Sequence, residues 1–283
     1  MNGSPSTEPG RFSPRRLGRL VLGLFDRWEA RHRRAAGLEA VRGHHLHARG
    51  LGPQSIVVDL GANRGEFSRE VRRRWRCRCW ALEPNPELAE SIGAGEGLVV
   101  EQLAIASGAR RARLILDENP EAHHLWRDPG PPPPDAESLW VQTTTLDALA
   151  KAHGLERIDV LKLDVEGAEL EVLESLGDRL DTIGQITVEF HDFLPGFSDA
   201  ERLAAIRRRL RRAGFFELVA SWPRGDHSDV LFLRWPGELS AAERFHIELL
   251  GRGVLPLRRL LERLRREYAR RARRTHRAGA EDG

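Results

Sequence analysis

Five short segments place acidic, basic and glycine residues where ligand chemistry could be done. The first, Asp59-Leu60-Gly61-Ala62-Asn63-Arg64-Gly65, follows the apolar run Ile56-Val57-Val58. Gly61 and Gly65 let the backbone turn tightly and approach a ligand closely. This D-x-G-x-x-x-G loop differs from the G-x-G-x-x-G pyrophosphate fingerprint. Its leading carboxylate suits a ligand bearing an ammonium group and repels a pyrophosphate. The second segment, Glu83-Pro84-Asn85-Pro86, ends another apolar run. A carboxylate there, about twenty residues after the glycine loop, can accept both hydroxyl hydrogens of a ribose. The third, Gln102-Leu103-Ala104-Ile105-Ala106-Ser107, offers an apolar bed for a flat ring. In the fourth, Leu161 to Glu169, strand alternation sets Lys162, Asp164 and Glu166 on one side, opposite Leu161, Leu163 and Val165. Ionisable groups on a buried strand need partners or a ligand, so a structural salt-bridge network is the competing reading. The fifth, Val188-Glu189-Phe190-His191-Asp192, brings more acid–base groups to a strand end. A histidine there is either functional or simply hydrogen-bonded in the core.

The elements that must position these segments alternate between strand and helix. Ile56–Leu60 is a short, continuously apolar strand, as in a parallel sheet buried on both faces. Further strands are expected at Cys77–Leu82, from Leu98-Val99-Val100, and, as a central strand, at Asp159–Val165. Arg113–Leu116 reads as a strand at an edge, and Leu139–Thr144 and Gln185–His191 as further strands. Helices are expected from Ser68, over Leu146–His153, over Ala168–Leu176, and over Asp199–Ala213, the last stopped by Gly214. Phe215–Trp222 and Asp229–Trp235 read as an antiparallel hairpin. Asn119–Glu137 contains Pro129-Gly130-Pro131-Pro132-Pro133-Pro134, and reads as a long loop that either bounds the acceptor site or is a solvated excursion. The fold class is therefore α/β: a doubly wound, mostly parallel seven-stranded sheet with an antiparallel C-terminal hairpin. Residues 55–236 form that domain. Residues 1–54 are expected to hold a disordered start and a basic amphipathic helix over Leu17–Trp28. Residues 237–283 are expected to hold a second basic helix over Leu257–Tyr268.

The segments VDLGANRGEFS, ALEPNP, TTLDAL, LKLDVEGAELEVLESL and VEFH, spanning roughly Ile56 to His191, resemble the FkbM family of methyltransferases. The resemblance implies a class I, Rossmann-like fold that binds S-adenosyl-L-methionine, and O-methylation of a sugar, glycolipid, polysaccharide or natural product. It places Asp59, Gly61, Asn63 and Gly65 along the methionine end of the cofactor and Glu83 on its ribose. Phe67, Ser68, Pro84, Ala104, Ile105 and Asp164 complete the expected cofactor-binding set. Ala104 and Ile105 lie in a third-strand loop that departs from the Asn-rich start common in the family. The resemblance also turns Asp164 and Glu166 toward the reaction centre.

Methyl transfer from a sulfonium is an in-line displacement, so the protein must align an oxygen and accept its proton. Asp164, Glu189 and His191 are the candidates for that work. His191 ranks first because imidazole titrates near neutral pH. The same oxygen-rich set suits Mg²⁺, although no residue is assigned as a metal ligand.

Charge is unevenly spread. Residues 1–54 carry 10 Arg against 4 acids and residues 237–283 carry 12 Arg against 7 acids, which leaves an acidic middle. That is not a uniform basic surface for nucleic acid, and Tyr268 is the one aromatic near the C-terminal arginine run. A nucleic-acid methyltransferase using the arginine-rich ends is the alternative enzyme reading, and base stacking is poorly supplied for it. The basic helices suit an anionic membrane surface, docking on the core, or a homodimer. An inactive membrane-surface adaptor is the non-enzyme alternative. No run approaches the roughly 18 apolar residues of a membrane span, and Met1–Gly10 is polar. The expected location is the cytoplasm, at most peripheral at the inner membrane face. Cys77 and Cys79 read as strand residues in a reducing compartment.

Overall fold

The computed structural model describes residues 14–119, 122–127, 130–191, 199–219, 228–234, 239–258, 260, 261, 263, 264 and 267. Helix α1 (Pro14–Ala35) leads into a hairpin of β1 (Leu38–Val41) and β2 (His44–His47). The hairpin lies within the stretch expected to be only disordered and helical. Its two-residue turn, Arg42-Gly43, has φ of 50° and 93°. Positive φ at both central positions matches the right-handed twist of the flanking strands. Gln185 pins this hairpin to the sheet: its Oε1 accepts the His47 N–H at 2.8 Å and its Nε2 donates to the His47 carbonyl at 3.0 Å.

The domain then runs β3 (Ile56–Leu60), α2 (Glu66–Trp75), β4 (Arg78–Leu82), α3 (Pro86–Ile92), β5 (Leu98–Glu101), β6 (Ala104–Ile105), β7 (Arg111–Ile115), β8 (His124–Leu125) and β9 (Ser138–Thr144). It continues with α4 (Leu146–Ala152), β10 (Ile158–Leu163), α5 (Glu169–Ser175), β11 (Ile183–Phe190), α6 (Ala200–Arg212), β12 (Phe215–Val219), β13 (Ser228–Arg234) and α7 (Ala241–Leu249). Seven strands form one sheet in the order β12-β13-β11-β10-β3-β4-β5. The five from β11 to β5 are parallel, and β13 and β12 join antiparallel. The edge strand expected at Arg113–Leu116 is instead β7 of a separate four-stranded sheet, ordered β6-β9-β7-β8. These strands bury only Leu114, Val141 and Ala104 as a core of their own. They lack the apolar content that a strand of the main sheet requires on both faces.

Both faces of the main sheet are covered. Leu60, Leu161 and Leu163 meet Leu149 of α4, Leu173 of α5 and Ile206 of α6 on one side. On the other, Val57, Cys79 and Val160 meet Phe67 and Val71 of α2, together with Val41 and Leu46 of the hairpin. Each fully buried aliphatic side chain contributes about 1.5–3 kcal/mol. Cys77 and Cys79 are free and buried, and burial pushes the Cys77 thiol up to about 11. The arms belong to this packing: Ala36, Leu38, Ile247, Leu250 and Leu255 cover Leu218, Leu231 and Leu233. Arg258 reaches back to Asp26 (3.2 Å) and to Glu29 on α1. Leu24, Trp28, Leu257, Leu260 and Leu264 stay exposed. No helix among the described residues is long and apolar enough to cross a membrane. The segment before Pro14, the strand ends expected at Trp222 and Trp235, and the helix end at Tyr268 lie outside the described residues.

Candidate active site

A cavity of about 580 Å³ opens beyond the carboxyl ends of β3, β4 and β10. It sits where strand order reverses between β3 and β10, the place where open α/β sheets bind ligands. Gly61 forms its floor with φ 76°. A Cβ there would lie 1.7 Å from the Asp164 carbonyl oxygen, so only glycine lets β3 and β10 approach at this point. Gly65, with φ 69°, has Ile92 where its Cβ would go. It shapes the turn into α2 without lining the cavity.

Asp59 is fully buried and also off the cavity wall. Ser68 donates to its Oδ2 at 2.7 Å, and the Lys162 ammonium stands 3.1 Å from its Oδ1. The ammonium that the Asp59 carboxylate suits is therefore that of Lys162. Lys162 also donates to the Gly61 carbonyl at 2.6 Å and lies 3.4 Å from Asp164. Burial alone would depress this ammonium, but Asp59 and Asp164 overcome it and hold its pKa above the usual lysine range. Burial likewise disfavours the Asp164 carboxylate, and Lys162 outweighs that, keeping its pKa below the usual range. The salt-bridge reading of Lys162 and the site reading thus describe one arrangement. Lys162 supplies one cation on Asp164; His44, Asp164 and Glu189, and likewise Asp164, Glu166 and His191, also bring potential ligand atoms within 4.8 Å of one another.

A carboxylate and an apolar slot make up one end of the cavity. Glu83 lines it, and its two oxygens each accept a backbone N–H, from Asn63 at 2.8 Å and Asn85 at 2.9 Å. A carboxylate has about four lone-pair positions, so two remain to accept a vicinal diol. Burial raises the Glu83 pKa, and the two N–H donors oppose that rise. Pro84 follows on the wall. Ala104 and Ile105 join Leu103, Leu114 and Leu125 in an apolar slot. Leu114 and Leu125 come from the small sheet, and of the segment expected to bound the acceptor site Asn119, His123, His124 and Leu125 line the cavity, Leu125 in this apolar slot.

The other end is acidic. Phe67, Asp164, Glu166 and Glu189 line it, and so does His44 from the hairpin. Asp164 and Lys162 share a side, as alternation requires. Glu166 instead sits in the turn after β10 with φ 47°. Burial is the main force pushing its carboxyl up to about 8. His191 is not on the cavity wall and is 5% exposed. Its Nδ1 lies 2.9 Å from Glu169 Oε1, and its Nε2 is 3.4 Å from Glu166 and 4.0 Å from Glu189. Burial would lower its pKa, but the Glu169 hydrogen bond and the surrounding carboxylates raise it to about 9. The histidine expected as base is thus behind Glu166 and protonated at neutral pH. Asp192 lies outside the described residues.

Two residues of this end escaped the sequence reading. Glu169 is one: besides His191 it accepts the Gly167 N–H at 3.0 Å and the Val165 N–H at 3.3 Å, and so fixes the turn after β10. Its signal was the spacing in Asp164-Val165-Glu166-Gly167-Ala168-Glu169. His44 is the other, and its signal was the histidine-rich run after the Arg42-Gly43 turn.

The Methyltransferase FkbM domain model matches residues 59–216, more than half of the chain. The chain belongs to the FkbM methyltransferase family. Among relatives, the 2-O-methyltransferase NoeI of Sinorhizobium fredii is 28% identical over 196 residues, covering 63% of this chain and 79% of NoeI. The AMB antimetabolite synthetase AmbE of Pseudomonas aeruginosa is 31% identical over 213 residues, 58% of this chain but 10% of that protein. The hexuronic acid methyltransferase AglP of Haloferax volcanii is 26% identical over 149 residues, 48% of this chain and 56% of AglP. The FkbM match starts at the glycine loop, so α1 and the β1–β2 hairpin, His44 included, lie before it.

Proposed function

We propose that this FkbM-family protein is an S-adenosyl-L-methionine-dependent O-methyltransferase whose acceptor is a hydroxyl of a sugar or sugar-bearing molecule. The observation that carries the reading is Glu83, tied by both oxygens to backbone N–H groups yet facing the cavity with lone pairs to spare for a ribose diol. The apolar slot of Leu103, Ala104, Ile105, Leu114 and Leu125 suits the adenine ring, and Gly61 leaves room for the methionine end. The bound cofactor supplies a sulfonium methyl already activated toward displacement. The protein's own task is then to hold an acceptor oxygen in line and to receive its proton. Asp164 and Glu189 at the far end accept hydrogen bonds and the Glu166 carboxyl, pushed up to about 8, can donate one as well, as a polyhydroxylated acceptor requires. The names of NoeI and AglP support a carbohydrate acceptor.

S-adenosylhomocysteine at 100 times its Kd should stabilise the folded protein by about 2.7 kcal/mol, or roughly 5–10 °C in melting temperature. Glu83→Ala should lose most of that shift. A shift with NAD and none with S-adenosylhomocysteine would reverse the cofactor assignment. Mass spectrometry of polysaccharides and glycolipids from a deletion strain should show a missing methyl ether, and an unchanged methylation pattern would remove the carbohydrate acceptor.

A further inference from the structure

We propose that the two terminal arms form a single docking patch for an anionic lipid surface. Seven large apolar side chains among the described residues are exposed, and six of them lie on the arms. They are Leu24 and Trp28 on α1, Phe245 on α7, and Leu257, Leu260 and Leu264 on the helical turns after Val254. The seventh, Trp140, has the Arg111 and Arg113 guanidiniums over its ring at 5.2 and 5.1 Å. Concentrated exposure of this kind marks an interaction surface, whereas scattered single residues do not. Helical spacing explains how it arises. Leu24 and Trp28 stand one turn apart, and the exposed Arg27, Arg31 and Arg34, at i, i+4 and i+7, run along their flank. Glu29, His32 and Ala36, on the side of α1 turned to the core, are buried. Leu257, Leu260 and Leu264 follow the same rule at i, i+3 and i+7, with Leu255 buried behind them.

Contacts between the arms join these stripes into one patch. Arg258, next to Leu257, reaches Asp26, between Leu24 and Trp28, at 3.2 Å, and also pairs with Glu29. Rings link the rest. Trp28 meets His32 edge-on with centroids 5.1 Å apart, His32 lies 4.9 Å from His246, and His246 lies 5.3 Å from Phe245. Charge decides the occupant. Residues 1–54 hold an excess of 6 positive charges and residues 237–283 an excess of 5. A two-fold pair of copies would set this patch against itself, like charge on like charge. Anionic headgroups attract it instead, and each arginine near them strengthens binding. An apolar stripe edged by arginines is the pattern of a helix that lies along such a surface. Trp28 suits the boundary, since an indole presents an apolar body and a polar N–H. The proposal stands apart from the methyl-transfer reading, because no residue of the patch lines the cavity.

The test is co-sedimentation of the full 283-residue chain with vesicles of phosphatidylcholine alone and of phosphatidylcholine mixed with phosphatidylglycerol. The protein should pellet with the mixed vesicles and stay in the supernatant with the neutral ones. Binding should weaken as salt shortens the Debye length from about 10 Å at 0.1 M to about 3 Å at 1 M. Arg27→Gln combined with Arg31→Gln removes two charges contributing about fivefold each, so partition should fall roughly 20–30-fold. Leu260→Ser combined with Leu264→Ser should also release the protein, at unchanged charge. All four positions are exposed, so melting temperatures should stay within about 2 °C of the wild type. Trp28→Phe should abolish most of the blue shift in tryptophan emission that the mixed vesicles produce. Equal recovery in the supernatant with both vesicle types would overturn the proposal. So would binding that both double variants leave intact. A dimer in analytical ultracentrifugation that Leu260→Ser with Leu264→Ser dissolves would give the patch to a second copy, and overturn it as well.

Discussion

Lys162→Met isolates the electrostatic centre of the site, because it keeps the length of the side chain and removes its charge. The ammonium is 3% exposed and touches Asp59, which is fully buried, as well as Asp164 and the Gly61 carbonyl. Removing one partner of a buried pair leaves an uncompensated charge, at a cost of about 3–5 kcal/mol. Most of that cost belongs to Asp59, since the Asp164 side chain is 26% exposed and water can partly solvate it. Against a total stability of about 5–15 kcal/mol this is a large fraction, and it should lower the melting temperature by roughly 6–20 °C. Lysine-to-arginine should not restore it, because a planar guanidinium cannot replace a compact ammonium among three oxygens and beneath Phe67. The pH dependence has a definite sign. The Asp164 pKa is depressed in the fold, so its contribution is present above the unfolded carboxylate value of about 4 and is lost as pH falls through the folded value. In Lys162→Met that contribution disappears, and protonation relieves the orphaned charge. The deficit should therefore shrink between pH 7.5 and pH 4.5. Urea unfolding at both values, with m-values compared, measures it. A deficit under about 1 kcal/mol, or one equal at both pH values, would refute the claim that Lys162 neutralises these carboxylates.

Gly61→Ala should destabilise by more than about 4 kcal/mol and abolish the S-adenosylhomocysteine shift, since its Cβ would strike the Asp164 carbonyl. Gly93→Ala is the control: φ is also positive, with ψ 114°, but nothing lies within 4 Å, so backbone strain alone should cost about 1–3 kcal/mol; equal losses in thermal melts would refute the close-approach argument. His191, with its pKa raised to about 9, contributes stability that is full below about 6.5 and is lost as pH rises through 9. The loss is at most about 3 kcal/mol. Burial raises Glu166 in the same direction. Denaturation across pH 6–10 should show this alkaline fall, and His191→Gln should flatten it; an unchanged slope would break the assignment of His191 to the Glu169–Glu166 pair.

How much of this was legible in the sequence depended on whether the signal was local. Ile56-Val57-Val58 and Leu161-Lys162-Leu163 announce strands buried on both faces because each apolar run is complete within a few residues. The glycines at 61 and 65 and the carboxylate at 83 are punctuation of the same local kind, and all three end up around the cavity or the turn that shapes it. Arg113–Leu116 misled because a short apolar alternation fits any sheet; only the small core of Leu114 and Val141 decides which one. His191 misled for a different reason. Residue type and strand position were read well enough to bring it near the site, but its role is set by Glu169, whose bond to it exists only after the turn at Glu166-Gly167 folds back. His44 depends on long links, the pairing of Gln185 with the backbone of His47 across 138 positions of sequence and its own contact with Thr187 across 143. No periodicity in Val41–His47 reveals those contacts. The hairpin lies ahead of the matched domain, so the wall residue it contributes is the part of the site that motif reading is least equipped to find.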